Sequence, residues 1–337
     1  MIGGAGYIGS HMVRVLLDAQ YQPVVFDNLS TGHRQLVPEG AVFVEGDLQS
    51  PADLASVLKD FQIKAAMHFA ASSLVPESMK DPLKYYRNNV GAFLNLLEQM
   101  EAHQVRQLIF SSTAAVYGEP EKSPIREDFP LRPVNPYGQS KAMIEKILAD
   151  VALTRPLAYA VFRYFNAAGA HEGGETGEWH REETHLIPNL LAAVREKKEF
   201  TIFGDDYPTP DGTCVRDYIH VQDLCRAHLL ALQSLEGSAA NETFNLGNGA
   251  GYSVKEVLRA VEKITGKEVR TKVCGRRPGD PPQLIADAQK AKRILGWEAR
   301  ENLEAILRSA YHWHENRPEE KAGPEIDLQT GAGRRSA

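Results

Sequence analysis

The run Asn135-Pro136-Tyr137-Gly138-Gln139-Ser140-Lys141 holds two residues that could move a proton. Tyr137 and Lys141 are four apart, so on a helix both project from one face, about one turn apart. Pro136 suits a first helical position, and Met143, Ile144, Ile147 and Leu148 continue an apolar stripe. A phenol titrates near 10 and is a poor base at neutral pH. An ammonium about 6 Å away, at an effective dielectric near 20, favours the phenolate by roughly 3 kcal/mol, or about two pKa units. The same pair on an exposed face would be an ordinary helix surface. Its neighbours in the chain decide between the two.

The chain opens Gly3-Gly4-Ala5-Gly6-Tyr7-Ile8-Gly9 and runs on into a helical pattern at 10–19. Glycines so spaced let backbone turn tightly and approach a pyrophosphate, whose charge sits at the helix N-terminus. Asp27 ends the next β-branched run, 18 residues beyond Gly9, where an acid binds the adenosine ribose hydroxyls. An acid there repels a 2′-phosphate, so NAD is favoured over NADP. A nicotinamide cation beside Tyr137 would add to the push from Lys141. Asp47 could reach the adenine edge or cap the helix that Pro51 begins.

These groups need a scaffold. Short β-branched runs at 23–27, 41–45, 65–69, 107–111 and 158–164 alternate with helical patterns at 10–19, 81–102 and 137–152. The alternation predicts an α/β fold, a Rossmann-like doubly wound parallel sheet. A phosphate-binding turn should follow a buried strand, yet only Met1 and Ile2 precede Gly3. A first strand of about four or five residues is therefore expected to be truncated, through a lost N-terminal segment. After Asn166 the texture changes. Residues 167–183 are rich in Gly, Glu and His, and 207–214 in Pro, Asp and Gly, which suits loops over a cleft. Further helices are expected at 186–196, 221–235, 254–265 and 303–315. The expected division is a dinucleotide-binding domain at 1–166, to which 217–247 returns. A smaller α/β substrate domain takes 167–216 and 248–316, and 317–337 is a flexible tail.

Composition narrows the partners. The 337 residues carry a net charge of −6 with no basic stripe, which argues against nucleic acid and anionic membrane. Cys214, Cys225 and Cys274 are odd in number and without paired spacing, as in a reducing compartment with neither disulfides nor a zinc site. No apolar run reaches spanning length and no charged-then-apolar leader is visible, so a cytoplasmic protein is expected. The eleven histidines form no His-x-x-His or Cys/His pattern, and no metal is expected.

Several runs together resemble the extended short-chain dehydrogenase/reductase family, in particular its UDP-hexose 4-epimerase branch. They are the opening glycine turn through Ser10-His11, Asp27-Asn28-Leu29, His68-Phe69-Ala70 and Ser111-Ser112-Thr113-Ala114-Ala115-Val116-Tyr117-Gly118. Tyr137-x-x-x-Lys141, Arg163-Tyr164-Phe165-Asn166 and Val215-Arg216-Asp217-Tyr218-Ile219-His220 complete the set. The resemblance covers Gly3 to about Asn316. It implies an NAD-dependent isomerase that oxidises C4 of UDP-glucose or UDP-galactose, turns the 4-keto sugar over and returns the hydride. Tyr137 would be the base, Lys141 would hold the ribose and lower the tyrosine pKa, and Thr113 would bind and relay the O4 proton. Implied cofactor contacts are Gly3, Gly6, Tyr7, Ile8, Gly9, Asp27, Asn28, Asp47 and Leu48. Phe69, Ala70, Ala71, Asn88, Ser111 and Phe165 join them, with Tyr137 and Lys141. Dehydratase relatives carry an Asp-Glu pair after the Thr, and decarboxylases a Glu at the second of those positions; Ala114 and Ala115 here can do no acid–base work.

The resemblance also implies UDP-sugar contacts at Thr113, Tyr137, Asn166, His185, Leu186, Phe203, Arg216, Arg277, Asp280 and Leu284. Arginine forks suit a diphosphate. Arg216 could instead pair with Asp217, Arg277 and Asp280 could belong to a solvated turn, and Leu186 and Phe203 could be plain core or flank the uracil. The chain departs from the family pattern with Ser72-Ser73 for Gly-x-Lys, Thr113 for Ser and His185 for Asn. Leu284 replaces Tyr or Cys beside the sugar's 2-substituent, which predicts tolerance of N-acetylated sugars. A UDP-uronate or UDP-N-acetylhexosamine 4-epimerase is an alternative, and an NAD-sensing regulatory protein a non-enzymatic one. The resemblance implies a homodimer through 81–102 and the Tyr137 helix.

Overall fold

The computed structural model describes residues 1–237, 241–277 and 279–318. Val24–Asp27 pairs in parallel with Val42–Glu45. Ala65–His68, Gln107–Thr113, Ala158–Tyr164 and Glu242–Leu246 form a second set of parallel neighbours, in that order. Ile2 joins the two sets through parallel bridges to Phe26 and His68. Its N–H donates to the Met67 carbonyl at 2.9 Å and its carbonyl accepts from Phe69 N–H at 2.8 Å. Gly3 N–H then donates to the Phe26 carbonyl at 2.9 Å. A stub of two residues thus stands where the first strand was expected, at the point where strand order reverses and doubly wound sheets place their ligands.

The strands hold position because both faces are covered. Leu108 and Phe110 pack with Phe93, Leu96, Met100, Ile144 and Leu148 on one side. Ile109, between them, packs with Met12, Leu16, Leu224 and Leu232 on the other. That alternation is the period of two in a strand buried on both faces. Helices Ala92–Ala102 and Pro136–Thr154 therefore cover one face, and Tyr7–Asp18 and Val221–Gly237 the other.

The expected single helix over 81–102 is broken. Helix Val75–Lys80 ends before Pro82, which has no N–H to continue the ladder, and the Asp81 carboxylate accepts Lys84 N–H at 3.1 Å to start a new turn. A π-helical turn, Tyr86–Gly91, follows before Ala92–Ala102. The helix that Pro51 begins runs to Asp60, and helix Gln289–Leu295 was not anticipated.

Beyond Asn166 the sheets are small. Asn166–Ala168 lies parallel to Tyr218–His220, and Phe200–Phe203 to Thr271–Cys274. Val215–Arg216 sits between Tyr252–Ser253 and Gln283–Leu284. Helices Leu186–Glu196, Val254–Thr265 and Leu303–Asn316 share a core of Leu190, Val194, Val257, Val261, Ile306 and Leu307. Of the expected tail at 317–337, all but 317 and 318 lie outside the described residues. Among the described residues no helix is long and apolar enough to cross a membrane.

One buried ion pair fastens helix Pro136–Thr154 to the sheet. Arg163 on Ala158–Tyr164 reaches Glu145 on Pro136–Thr154 with Nη2···Oε2 2.6 Å, and both side chains are under one-tenth exposed. Ser112 also donates to Glu145, while Arg163 Nη1 donates to the Tyr117 hydroxyl and the Glu127 carbonyl. Removing one member strands the other charge without solvent. Arg163→Met should therefore cost about 3–5 kcal/mol in chemical denaturation, and adding Glu145→Gln should restore much of it. Equal losses for the single and double variants would show that the pairing is not what holds the helix.

Candidate active site

The cofactor end begins at the glycine turn. Helix Tyr7–Asp18 starts at Gly6 with no side-chain cap and no acid in its first turn, which leaves its first amides for an anion. A Cβ at Gly9 would stand 2.1 Å from the Gly3 carbonyl, so only glycine lets helix and turn meet this closely. Asp27 lies directly behind: its carboxylate accepts Ala5 N–H and Leu29 N–H, each at 2.9 Å, and so shapes the turn as well as offering an acid for a ribose. Asn28 donates to Asp47 at 3.0 Å, which joins the two proposed adenosine contacts. Asp47 is not the helix cap. That role belongs to Ser50, whose side chain accepts Asp53 N–H.

A cavity of about 430 Å³ runs from this turn to the Tyr137 region. Gly3, Gly6, Tyr7, Ile8, Gly9, Phe69, Ala71, Ser111, Thr113, Tyr137, Lys141 and Phe165 line it. Asp27, Asn28, Asp47, Leu48, Ala70 and Asn88 are not on its wall. Leu48 packs on the core cluster around Phe26 and Leu54, and Ala70 beside it. Asn88 donates to Ser72 at 3.1 Å and to Asn89 at 3.2 Å. The glycine cradle, the uncapped helix start and the acid behind it fit a dinucleotide with a free 2′-hydroxyl.

The reactive groups converge at the end of strand Gln107–Thr113. Thr113 Oγ1 accepts Ala115 N–H at 3.1 Å, capping the short turn Ala114–Tyr117. Asn135 caps helix Pro136–Thr154 by accepting Gly138 N–H at 2.8 Å, with Pro136 in its first turn. A Cβ at Gly138 would lie 2.6 Å from the Ala115 carbonyl, so the glycine admits the close helix–turn contact that sets Tyr137 beside Thr113. Ser140 donates to the Tyr137 carbonyl at 2.7 Å and accepts from the buried Asn89 at 3.0 Å. Asn89 was missed from sequence, although it adjoins Asn88 in the π-helical turn. Tyr85, also missed, places its ring edge toward Tyr137 with centroids 6.5 Å apart.

Lys141 is 2 % exposed. Its ammonium donates to the Ser111 carbonyl at 2.7 Å and lies 4.8 Å from the centre of the Phe110 ring. Burial lowers its pKa to about 7, against an upward pull from Glu145. Burial also raises the Tyr137 pKa above its ordinary value, with a hydrogen bond from Thr113 acting the other way. The expected lowering of the tyrosine by its lysine is thus absent in the protein by itself. Desolvation of the phenolate outweighs the Thr113 hydrogen bond.

A second cavity, about 590 Å³, shares Asn166, His185, Leu186, Arg216 and Tyr218 with the first. Phe203, Arg277 and Asp280 line it as well, and Leu284 lines the first cavity beside Thr113. Arg216 pairs with Asp280, not with Asp217. Asp217 is fully buried and accepts three backbone N–H groups, from Asn248, Gly249 and Ala286, which is a structural role. Arg277 stacks 4.0 Å over the Phe203 ring, so two residues proposed separately form one surface. Asn166 spends its amide N–H on the Asp217 carbonyl at 3.0 Å, which leaves its oxygen for a ligand. Glu178 and His180 also line the first cavity and were not anticipated.

Comparison with known proteins agrees over nearly the whole chain. The family model described as the NAD dependent epimerase/dehydratase family matches residues 1–247. The UDP-glucose 4-epimerase of Lactobacillus helveticus is 49% identical over 320 residues, covering 94% of this chain and 97% of that protein. A crystal structure of a UDP-glucose 4-epimerase superposes with TM-score 0.92 at 50% identity, covering 94% of this chain and 97% of that one. The Brucella ovis UDP-glucose 4-epimerase in complex with NAD gives 0.90 at 46%, covering 93% and 97%.

The buried lysine has a measurable consequence. Its native pKa, about 7, lies below the unfolded value, so above pH 7 the unfolded chain binds the extra proton. The cofactor-free protein should gain stability over Lys141→Met as pH rises from about 7 toward 10.5, by at most about 1.4 kcal/mol per pH unit. Denaturation of both proteins across that range checks it. A flat difference would mean Lys141 stays charged when buried.

Proposed function

The chain belongs to the NAD dependent epimerase/dehydratase family, and on that premise we propose how its residues carry out the reaction. It is an isomerase that interconverts UDP-glucose and UDP-galactose with NAD as cofactor. When bound beside Tyr137 and Lys141, NAD would supply the hydride acceptor and donor that oxidation and re-reduction at C4 of the sugar require. Tyr137 takes the O4 proton as phenolate and returns it, and Thr113, hydrogen-bonded to Tyr137, relays it. Lys141 binds the nicotinamide ribose through donors not spent on Ser111. Arg216 and Arg277 hold the diphosphate while the 4-keto sugar turns, and Arg216 exchanges Asp280 for phosphate oxygens as UDP enters. Asn166, Leu186 and Phe203 seat the nucleoside. The carrying observation is Tyr137 and Thr113 at one point of the cavity wall with Ala114 and Ala115 beside them, which provides for proton transfer at O4 and for no elimination.

Residues 1–166 and the returning 217–247 form the NAD domain in this reading, and 167–216 with 248–316 the UDP-sugar domain. Asp27, Asn28 and Asp47 receive the adenosine, beside Leu48, Ala70 and Asn88. Leu284, packed against the Ala114, Val116 and Tyr117 cluster, leaves room for a sugar 2-acetamido group. Leu83, Leu94 and Met143 are exposed apolar side chains on the segments proposed to pair across a homodimer two-fold, which sedimentation equilibrium reads directly. The unpaired Cys214, Cys225 and Cys274 accord with a cytoplasmic setting.

Tyr137→Phe should lower turnover of UDP-galactose by at least about 10²-fold while the purified protein keeps its NAD, measured by coupled assay and by cofactor release on denaturation. Turnover near that of the parent would remove Tyr137 from its role. In the same assay the parent should also turn over UDP-N-acetylglucosamine; activity on UDP-glucose alone would refute the assignment of Leu284.

A further inference from the structure

Glu178, His180, Glu183 and His185 take no part in the proton chemistry, yet one donor atom from each lies within 4.8 Å of all the others. The sequence builds this from two Glu-x-His pairs. Residues two apart in extended chain point to the same side, and a bend at 181–182 folds one pair onto the other. His180 Nδ1 stands 3.3 Å from Glu183 Oε2 and 3.5 Å from Glu178 Oε1. His185 Nδ1 stands 3.8 Å from Glu183 Oε1 and contacts Glu178 directly. Four ligands bound at about 2.05 Å in a tetrahedron lie about 3.3–3.4 Å from one another. The two contacts of His180 are already close to that length, and the other donors lie within 4.8 Å, near enough to gather around one ion.

Independent features hold these donors in place. Glu178 is 4 % exposed, and its carbonyl accepts the Trp313 indole N–H at 3.0 Å. Trp179 stacks on His33 with ring centroids 4.0 Å apart, which fixes the chain between the first pair. Glu183 Oε1 accepts the N–H groups of Thr184 and His185, both at 2.8 Å, so Oε2 is oriented toward His180. Among the described residues no Lys or Arg nitrogen lies within 4.0 Å of either carboxylate, and the pair of negative charges has only imidazoles against it. Either both imidazoles bind protons or a divalent cation supplies the charge. Ca²⁺ and Mg²⁺ take oxygen ligands, whereas two imidazoles with two carboxylates suit zinc.

We propose that Glu178, His180, Glu183 and His185 bind one Zn²⁺ ion, which staples the 178–185 segment into a closed loop at the wall of the cavity that holds Tyr137. The site is closed, with four protein ligands, and so its role is positioning. Glu178, His180 and His185 line the cavity that holds Tyr137, and His185 immediately precedes helix Leu186–Glu196, whose first residue faces both cavities. The metal therefore sets where that helix begins relative to the nucleotide. It departs from the sequence expectation of no metal, because that expectation searched for His-x-x-His and thiolate patterns.

The test uses the full NAD-loaded chain, stripped with a strong chelator, dialysed against Zn²⁺ and measured by elemental analysis and thermal unfolding. The parent should take up about one Zn²⁺ per chain and gain roughly 5 °C in Tm. His180→Asn with Glu183→Gln should fold, keep its NAD and bind no zinc. Cobalt in place of zinc should give the parent, and not the variant, the intense visible bands of a four-coordinate site. No uptake by the parent, uptake without stabilisation, or equal uptake by the variant would each overturn the proposal. Should the variant fail to fold, parent uptake, Tm and cobalt spectrum decide it. None of these readings depends on turnover, so loss of the epimerase reading would not alter them.

Discussion

Burying a lysine ammonium beside a phenol is the constraint around which the rest of this protein is arranged. Lys141 gives up nearly all its hydration and recovers one carbonyl, one aromatic face and a distant carboxylate. That is too little to keep its pKa near the ordinary lysine value, and the same dry surroundings push Tyr137 upward. A free protein in this state is a poor base. Ribose hydroxyls to accept from Lys141 and a cationic nicotinamide to favour the phenolate would move both groups toward their working forms together. On the proposed mechanism the phenolate would therefore form only once the cofactor is seated.

Several remote features read as support for that burial. Glu145 lies one helical turn beyond Lys141 and would repel a phenolate if it were free. Arg163 and Ser112 neutralise and hold it, and in doing so pin the helix to two strands at once. Asn89 links Ser72 to Ser140 and so fixes the helix from the opposite side. On the wall of the second cavity, Arg216 rests on Asp280, the pair that a diphosphate would exchange on the proposed mechanism. Lys141 and Arg216 are thus each held by a protein group, a backbone carbonyl and a carboxylate respectively.

Much of the sheet was legible because strands buried on both faces are continuous apolar runs, and Ala158–Tyr164 falls at the expected residues. The helix expected over 81–102 was not legible as broken. Its apolar pattern persists across Asp81-Pro82, and only the missing N–H of Pro82 and the Asp81 cap betray a restart. The central strand could not be read from two residues, although the hydrogen bonds of Ile2 close the sheet there. In the site, spacing along one helix revealed Tyr137 and Lys141, and a glycine turn followed by an acid revealed the cofactor end. What sequence could not supply was pairing between distant segments. Arg216 found Asp280 across a loop rather than its neighbour Asp217, and the direction of the Tyr137 shift depends on burial, which no linear pattern records.

The most direct measurement is an ultraviolet titration of Tyr137, read as the difference between the parent and Tyr137→Phe, with and without NAD. The account predicts a pKa above 10 in the cofactor-free protein and a value well below 10 once NAD is bound, with Lys141→Met abolishing most of the drop. A tyrosine that ionises at the same pH in both states, or whose shift survives loss of Lys141, would contradict it.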